Sequence, residues 1–177
     1  MKNLEQKFRC DDLAAAEAAA KKLGATDRGV ITQHDYFFQA PHARLKLRMI
    51  NGHEAAELIA YRRPDATAPT TSDYVITPVA NPDSMLATLT HALGKPRELS
   101  KTRHVFIYNS TRIHIDRVDN LKDKDGGSGG GFVELEALLT KNSPDQAGGE
   151  IQTITTALNL KDPLPAAYID MTTEPVA

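Results

Sequence analysis

Arg44-Leu45-Lys46-Leu47-Arg48 alternates a cation with a leucine at every step. Successive side chains of a β-strand point to opposite faces, so this segment turns three like charges to one side and two leucines to the other. Lys101 and Arg103 repeat the arrangement, and Phe132-Val133-Glu134-Leu135-Glu136 repeats it with the sign reversed. Alternate residues on one strand face lie roughly 6.7 Å apart. At that spacing like charges repel by about 2.5 kcal/mol at an effective dielectric of about 20, but by only about 0.6 kcal/mol in bulk water. Such a row, once enclosed, needs an occupant of opposite charge.

The same alternation extends along the chain. Residues 3–9 set Asn3, Glu5 and Lys7 against Leu4 and Phe8, which predicts a first strand. Asp11 or Asp12 caps an alanine-rich helix that stops at Leu23-Gly24. Further strands are predicted over 30–38, 43–50, 54–62, 73–79, 101–108, 112–118 and 132–139, with hairpin turns at Asn51-Gly52 and Asn109-Ser110. Pro64 and Pro69 mark 63–70 as a loop. Asn81-Pro82 opens a helix ending at Gly94, Ser143-Pro144 opens another reaching Leu158, and a short segment follows near Ala166 to Met171. About eight consecutive antiparallel strands that alternate charged and apolar residues predict an α+β fold. Its core element is an antiparallel β-barrel or tunnel with a charged interior and helices packed outside. The competing architecture is an open sheet with its charged face in water.

Composition narrows the function. A chain of 177 residues with 41% hydrophobic content buries one ordinary core, so a single domain over 1–177 is expected. Its 21 basic and 23 acidic residues leave a formal charge of -2, and no global field favours nucleic acid or an anionic membrane. Five Phe, five Tyr and no Trp, not interleaved with the basic positions, also argue against a base-stacking platform. Cys10 is the single cysteine, which excludes an internal disulfide and is read as structural. The charged start Met1-Lys2-Asn3-Leu4-Glu5 and the lack of a long apolar window predict a cytoplasmic protein without a membrane span.

The charges that share faces fall into two sets. Lys7, Arg44, Lys46, Arg48, Lys101, Arg103 and Arg112 are basic; Glu5, Glu57, Asp116, Glu134 and Glu136 are acidic. Arginine rows suit phosphate, and carboxylate clusters suit hard divalent ions such as Mg2+ or Mn2+, so the two together imply a metal-bound polyphosphate. The Arg44-Lys46-Arg48 row is expected to stack opposite Lys101-Arg103. The run Gly126-Gly127-Ser128-Gly129-Gly130-Gly131 lacks the Gly-Lys-Ser/Thr of a phosphate cradle and reads as a mobile hairpin tip, placed to cover one tunnel mouth.

These residues resemble the CYTH family of triphosphate tunnel metalloenzymes, which includes class IV adenylate cyclases and thiamine triphosphatases. Asn3-Leu4-Glu5-Gln6-Lys7 resembles the ExExK signature, and Arg44-Leu45-Lys46-Leu47-Arg48 the basic tunnel strand. Glu57-Leu58-Ile59, Arg62-Arg63-Pro64-Asp65 and Ser72-Asp73-Tyr74 are most similar to the class IV cyclase branch. Lys101-Thr102-Arg103, Arg112-Ile113-His114-Ile115-Asp116 and Phe132-Val133-Glu134-Leu135-Glu136 complete the series in order, so the likeness runs from Asn3 to about Asp170.

The resemblance implies that Glu5, Asp116, Glu134 and Glu136 hold metal, Mg2+ or Mn2+. It implies that Lys7, Arg44, Lys46, Arg48, Lys101, Arg103 and Arg112 contact phosphate, with Lys7, Arg48 and Arg112 closest to catalysis. Glu57, turned inward by its strand, is expected to brace the arginines or bind metal. The expected partner is a triphosphate-bearing small molecule: ATP, inorganic triphosphate or thiamine triphosphate. The expected reaction is cyclisation of ATP or triphosphate hydrolysis. The sequence departs from the family at Asn3, where an amide replaces the first glutamate of the signature, and at Thr70-Thr71, where the cyclase branch commonly has a lysine. Asn3 motivates the alternative of a non-catalytic nucleotide or polyphosphate binding module. The oligomeric state stays open, a homodimer being one option.

Overall fold

Leu45, Leu47 and Met49 turn outward and Arg44, Lys46 and Arg48 inward because the strand that carries them belongs to a closed barrel. The computed structural model describes residues 1–122, 128–140, 142–165 and 167–171. Its strands are β1 (Lys2–Arg9), β2 (Thr26–Phe38), β3 (Arg44–Ile50), β4 (Ala55–Arg62) and β5 (Thr70–Pro78), then β6 (Arg97–Tyr108), β7 (Thr111–Lys122), β8 (Ser128–Leu138) and β9 (Asp162–Leu164). The helices are α1 (Leu13–Lys22), α2 (Pro82–Leu93) and α3 (Pro144–Ala157), and a 3-10 turn spans Tyr168–Met171. The antiparallel order is β5-β4-β3-β2-β6-β7-β8-β1, and β1 pairs back onto β5, closing eight strands. β5 covers β1 from Lys2 to Glu5, and β9 takes over the same edge from Lys7 to Arg9.

Local chemistry sets the element ends. Asp12, Asn81 and Ser143 accept hydrogen bonds from the first turns of α1, α2 and α3, and Ser143 and Gln146 form a reciprocal capping box. Asn51 and Gly52, both at positive φ, make the tight turn between β3 and β4.

The outward apolar faces are covered by the helices. α1 and α3 lay Ala16, Ala20, Ala147, Ile151 and Ile154 on Phe8, Phe106, Ile113, Val133 and Leu135, and α2 covers Leu47 and Met49 with Met85, Leu86 and Leu89. Each fully buried Ile or Leu contributes roughly 1.5–3 kcal/mol relative to exposure. A third apolar cluster lies across one barrel end, where Leu99, Val118 and Phe132 meet Ala167, Tyr168 and Ile169. The turn carrying Tyr168 is tied down by Arg97, which donates to the Ile169 carbonyl, and by an Arg44–Asp170 ion pair at 2.7 Å.

Strand ends differ from the sequence expectation. β2, β5, β6 and β8 begin three or four residues earlier, and β7 runs on to Lys122. Apart from the buried Leu99 and Leu121, the added residues, such as Arg97-Glu98, are polar or glycine and are held in ladders without a hydrophobic period to mark them. The loop predicted over 63–70 ends one residue too late, since Thr70–Ser72 forms the ladder with Glu5–Asn3 that closes the barrel. In the glycine run, Gly126 and Gly127 lie outside the described residues, as does Ala166. Ser128–Gly131 is strand, not a turn tip, with Gly131 opposite Arg117. A Cβ on Gly131 would stand 2.2 Å from the Cys10 carbonyl oxygen, which accepts no such neighbour; the glycine is there for close approach of two backbones.

Candidate active site

The barrel interior holds a cavity of about 130 Å³. Its charged lining comprises Lys7, Lys46, Arg48, Arg63, Lys101, Arg103 and Arg112 against Glu5, Asp35, Glu134 and Glu136, an excess of three positive charges among the described residues. Asn3, Ser72, Tyr61, Tyr74 and Phe37 add polar and aromatic surface, and Ala167 and Tyr168 bound the cavity at the end covered by the 3-10 turn. The Tyr168 ring lies 5.8 Å from the Lys7 ammonium and 5.6 Å from that of Lys101.

One wall is built by β3, β2 and β6. Asp35, only 1% exposed, receives two hydrogen bonds from Arg48 and one from Lys46 at 3.2 Å, and Lys101 Nζ stands 3.8 Å away. Burial opposes charge on Asp35, but Arg48, Lys46 and Lys101 outweigh it and hold the carboxyl well below the usual range. The cations here exceed their counter-charge. Burial and the neighbouring Arg103 and Arg48 bring Lys101 down to about 7, and burial with Arg48 lowers Lys46. Like-charged groups so placed favour an anion that restores their protons.

The facing wall comes from β1, β7 and β8. The ladder register sets Glu5 opposite Glu136 and Lys7 opposite Glu134. Lys7 pairs with Glu134 and, at 3.3 Å, with Glu5; Arg63 Nε lies 2.6 Å from Glu5. Arg103 donates to Asp116 at 2.7 and 2.6 Å and to Glu134 at 2.7 Å, bridging the two walls. Burial works against the Lys7 ammonium, yet Glu134 and Glu5 push it up, while burial and the nearby Glu134 and Glu136 push Glu5 up against the pull of Lys7. A further cation beside Glu5, added to Lys7 and Arg63, would relieve that strain.

The donor set fits a divalent ion. His114, Glu134 and Glu136 each offer a ligand atom within 4.8 Å of the others. The buried Asn3 Oδ1 has no hydrogen-bond partner, and it faces the same cavity. Oxygen-rich, partly anionic clusters of this kind suit Mg2+ or Mn2+.

Nine of the residues singled out in the sequence line the cavity: Glu5, Lys7, Lys46, Arg48, Lys101, Arg103, Arg112, Glu134 and Glu136. Three sit elsewhere. Arg44 is engaged by Asp65 and Asp170 beyond the cavity, Asp116 is sealed beneath Arg103 with no exposure, and Glu57 is half-buried opposite Arg48 in the ladder. The two basic rows flank β2 instead of facing each other across the barrel, with Asp35 between them.

The CYTH domain model matches residues 1–166. The chain belongs to the CYTH family. Among solved structures, the PH1012 protein of Pyrococcus horikoshii superposes with a TM-score of 0.82 at 22% identity, covering 97% of this chain and 99% of that one. A candidate adenylate cyclase from Vibrio parahaemolyticus gives 0.74 at 17% identity, with 96% of each chain covered. HpAC1 of Hippeastrum, a candidate adenylyl cyclase with a dominant triphosphatase activity, gives 0.61 at 12% identity, covering 93% of this chain and 91% of that one. These likenesses establish the fold. No curated protein sequence matches.

Sequence reasoning missed four residues of the CYTH cavity. Asp35 shares a strand face with Gln33 and Phe37, so no charge alternation marks it; only the ladder register brings it to Arg48. Arg63 falls in the segment read as loop, yet its side chain is 1% exposed and lines the cavity. Tyr61 and Tyr168 carry no motif. Burial raises the Tyr61 phenol to about 12, so it stays a hydrogen-bond donor, with Arg44 and Lys7 opposing that shift.

Proposed function

We propose that this CYTH protein binds a metal-complexed triphosphate compound in its barrel cavity and acts on the phosphoanhydride bonds. The observation that carries the reading is the enclosed wall of Lys46, Arg48, Lys101 and Arg103 facing the Glu5, Glu134 and Glu136 cluster across one cavity. The excess positive charge suits an anion whose charge is partly cancelled by a divalent ion. That ion, when bound, would neutralise charge on the phosphoryl oxygens.

The residues divide the work. Lys46, Arg48, Lys101, Arg103 and Arg63 hold phosphoryl oxygens in a site screened from bulk water, where their charge acts through a low dielectric. Lys7, Arg48 and Arg112 stabilise charge that grows on the leaving and bridging oxygens. Asp116 and Asp35 fix the guanidinium planes of Arg103 and Arg48. Arg44 meets phosphate only after exchanging Asp65 and Asp170 for it. Glu5, Glu134 and Glu136 are the carboxylates that would hold the ion.

The test is product analysis with ATP, inorganic triphosphate and thiamine triphosphate, each with Mg2+ and with Mn2+. Cyclic AMP plus pyrophosphate identifies attack by the ribose hydroxyl on the α-phosphorus; orthophosphate identifies attack by water on the terminal one. Tight binding without any product establishes the binding module, the reading that the replacement of a family glutamate by Asn3 favours. Absence of both binding and turnover overturns the proposal.

A further inference from the structure

His114 is the one nitrogen donor among the ligand atoms of the acidic cluster. It is 5% exposed, and its Nδ1 makes no hydrogen bond; the nearest oxygens are Glu134 Oε2 at 3.6 Å and Glu136 Oε1 at 3.7 Å. Two ligands placed cis on an ion with bonds of about 2.1 Å are roughly 3 Å apart, and trans ones roughly 4.2 Å. The observed spacings therefore close onto an ion with small side-chain adjustments. Both glutamates keep lone pairs for it: Glu134 spends one oxygen on Lys7 and the other on Arg103, and Glu136 spends Oε2 on Arg112 at 3.3 Å, each contact using one of about four acceptor positions. Asn3 Oδ1, buried and unpartnered, adds a neutral oxygen at the cavity wall.

We propose that His114 is a direct metal ligand through Nδ1, completing a set with Glu134 and Glu136 that takes a first-row transition ion such as Mn2+ in preference to Mg2+. The inference rests on the metal-dependent reading above and names the ion that the site selects. Mg2+ favours oxygen alone and holds its water tightly, whereas imidazole is a good ligand for transition ions. With an amide at Asn3 where the family signature has a glutamate, and an imidazole at His114, the donor set carries less negative charge, which weakens a purely ionic bond to Mg2+ more than a bond with a nitrogen share.

The experiment is Mn2+ binding to the intact protein without substrate, followed by electron spin echo spectroscopy and by calorimetric titration with Mn2+ and Mg2+. The bound ion should show a 14N coupling from imidazole, and His114→Gln should abolish it. The same variant should weaken Mn2+ binding about tenfold or more while changing Mg2+ by about twofold at most. Bound Mn2+ without a nitrogen coupling in the unaltered protein overturns this inference and leaves the triphosphate reading standing. Equal losses for both ions in His114→Gln also overturn it, assigning His114 a packing role. Failure of any divalent ion to bind, with or without triphosphate, overturns both. The wild-type spectrum decides the point even where His114→Gln folds poorly.

Discussion

Asp35 grips Arg48 with both carboxylate oxygens, Nε donating to Oδ1 at 2.7 Å and Nη2 to Oδ2 at 2.8 Å. The same carboxylate neutralises part of the charge on Lys46 and Lys101. It is the internal anion of the basic wall, and its position between two basic strands orients the arginine that lines the cavity.

Removing that charge should destabilise the free protein and make it dependent on ligand. Asp35→Asn leaves three buried cations short of counter-charge, and breaking a buried pair in this way costs about 3–5 kcal/mol. Inorganic triphosphate should then raise the melting temperature of the variant more than that of the wild type. Equal melting temperatures without ligand would show that Asp35 carries no such load.

Lys101 supplies a pH dependence with a definite sign. Its ammonium titrates at about 7 in the folded protein against an ordinary value of 10.5. Between those values the unfolded chain holds the proton and the folded one does not. Stability from this group therefore rises with pH from about 7 to about 10.5 and is lowest below 7. A bound polyphosphate raises the lysine again, so binding at pH 8 should take up about one proton more in wild type than in Lys101→Met. Calorimetry in buffers of different ionisation enthalpy measures the uptake, and identical values for the two proteins would refute the assignment.

The barrel and most of its charged lining were legible because the chain writes them as alternation. Arg44 to Arg48 and Glu134 to Glu136 each declare a strand and its two faces within five residues or fewer. Asp35 was not legible, since its role depends on which strands flank β2, and strand order is a property of the closed sheet. Arg63 was hidden by Pro64, which signals a loop while saying nothing of where the preceding side chain points. Tyr168 reaches the cavity from a turn with no period at all, held by Arg97 and Arg44 at positions far apart in sequence.

Glu134 and Glu136 should behave differently despite sharing one strand face. Glu134 is bonded to both Lys7 and Arg103, so Glu134→Gln leaves these buried cations with only Glu5 and Asp116 as counter-charges and should cost about 3 kcal/mol. Glu136 has a 3.3 Å contact with the part-exposed Arg112 and stands 3.7 Å from His114, and Glu136→Gln should change stability by about 1 kcal/mol or less. Both should weaken divalent-ion binding. Chemical denaturation and ion titration of the two variants check the contrast; equal stability losses would contradict it.

Two glycines offer a purely structural check. Gly131→Ala drives a Cβ to within 2.2 Å of the Cys10 carbonyl and should destabilise the barrel by about 1–3 kcal/mol as β1 and β8 are forced apart. Gly148 lies within α3 with nothing near its added Cβ, so Gly148→Ala should stabilise by about 0.5–1 kcal/mol. Opposite signs in thermal melts are the expected result, and a silent Gly131→Ala would remove the close-approach argument.

Asn3 is where the chain leaves its family's signature, and its environment fixes what restoring the carboxylate should do. The side chain is 3% exposed, two residues from Glu5 on the same face, beside a carboxyl that burial and its acidic neighbours already push up. A further carboxylate there finds no nearby counter-ion among the contacts of Glu5, because Lys7 is shared with Glu134 and Arg63 is engaged at 2.6 Å. Asn3→Glu should therefore lower the melting temperature in chelator, by repulsion at short range in a medium of low dielectric. A divalent ion reverses the balance, since each added carboxylate strengthens its hold, so the variant should gain more stability from Mg2+ or Mn2+ than the wild type and reach half-maximal turnover at lower ion concentration. Turnover that appears only in the variant would assign the natural protein to binding without catalysis. An ion response identical in both proteins would place Asn3 outside the site.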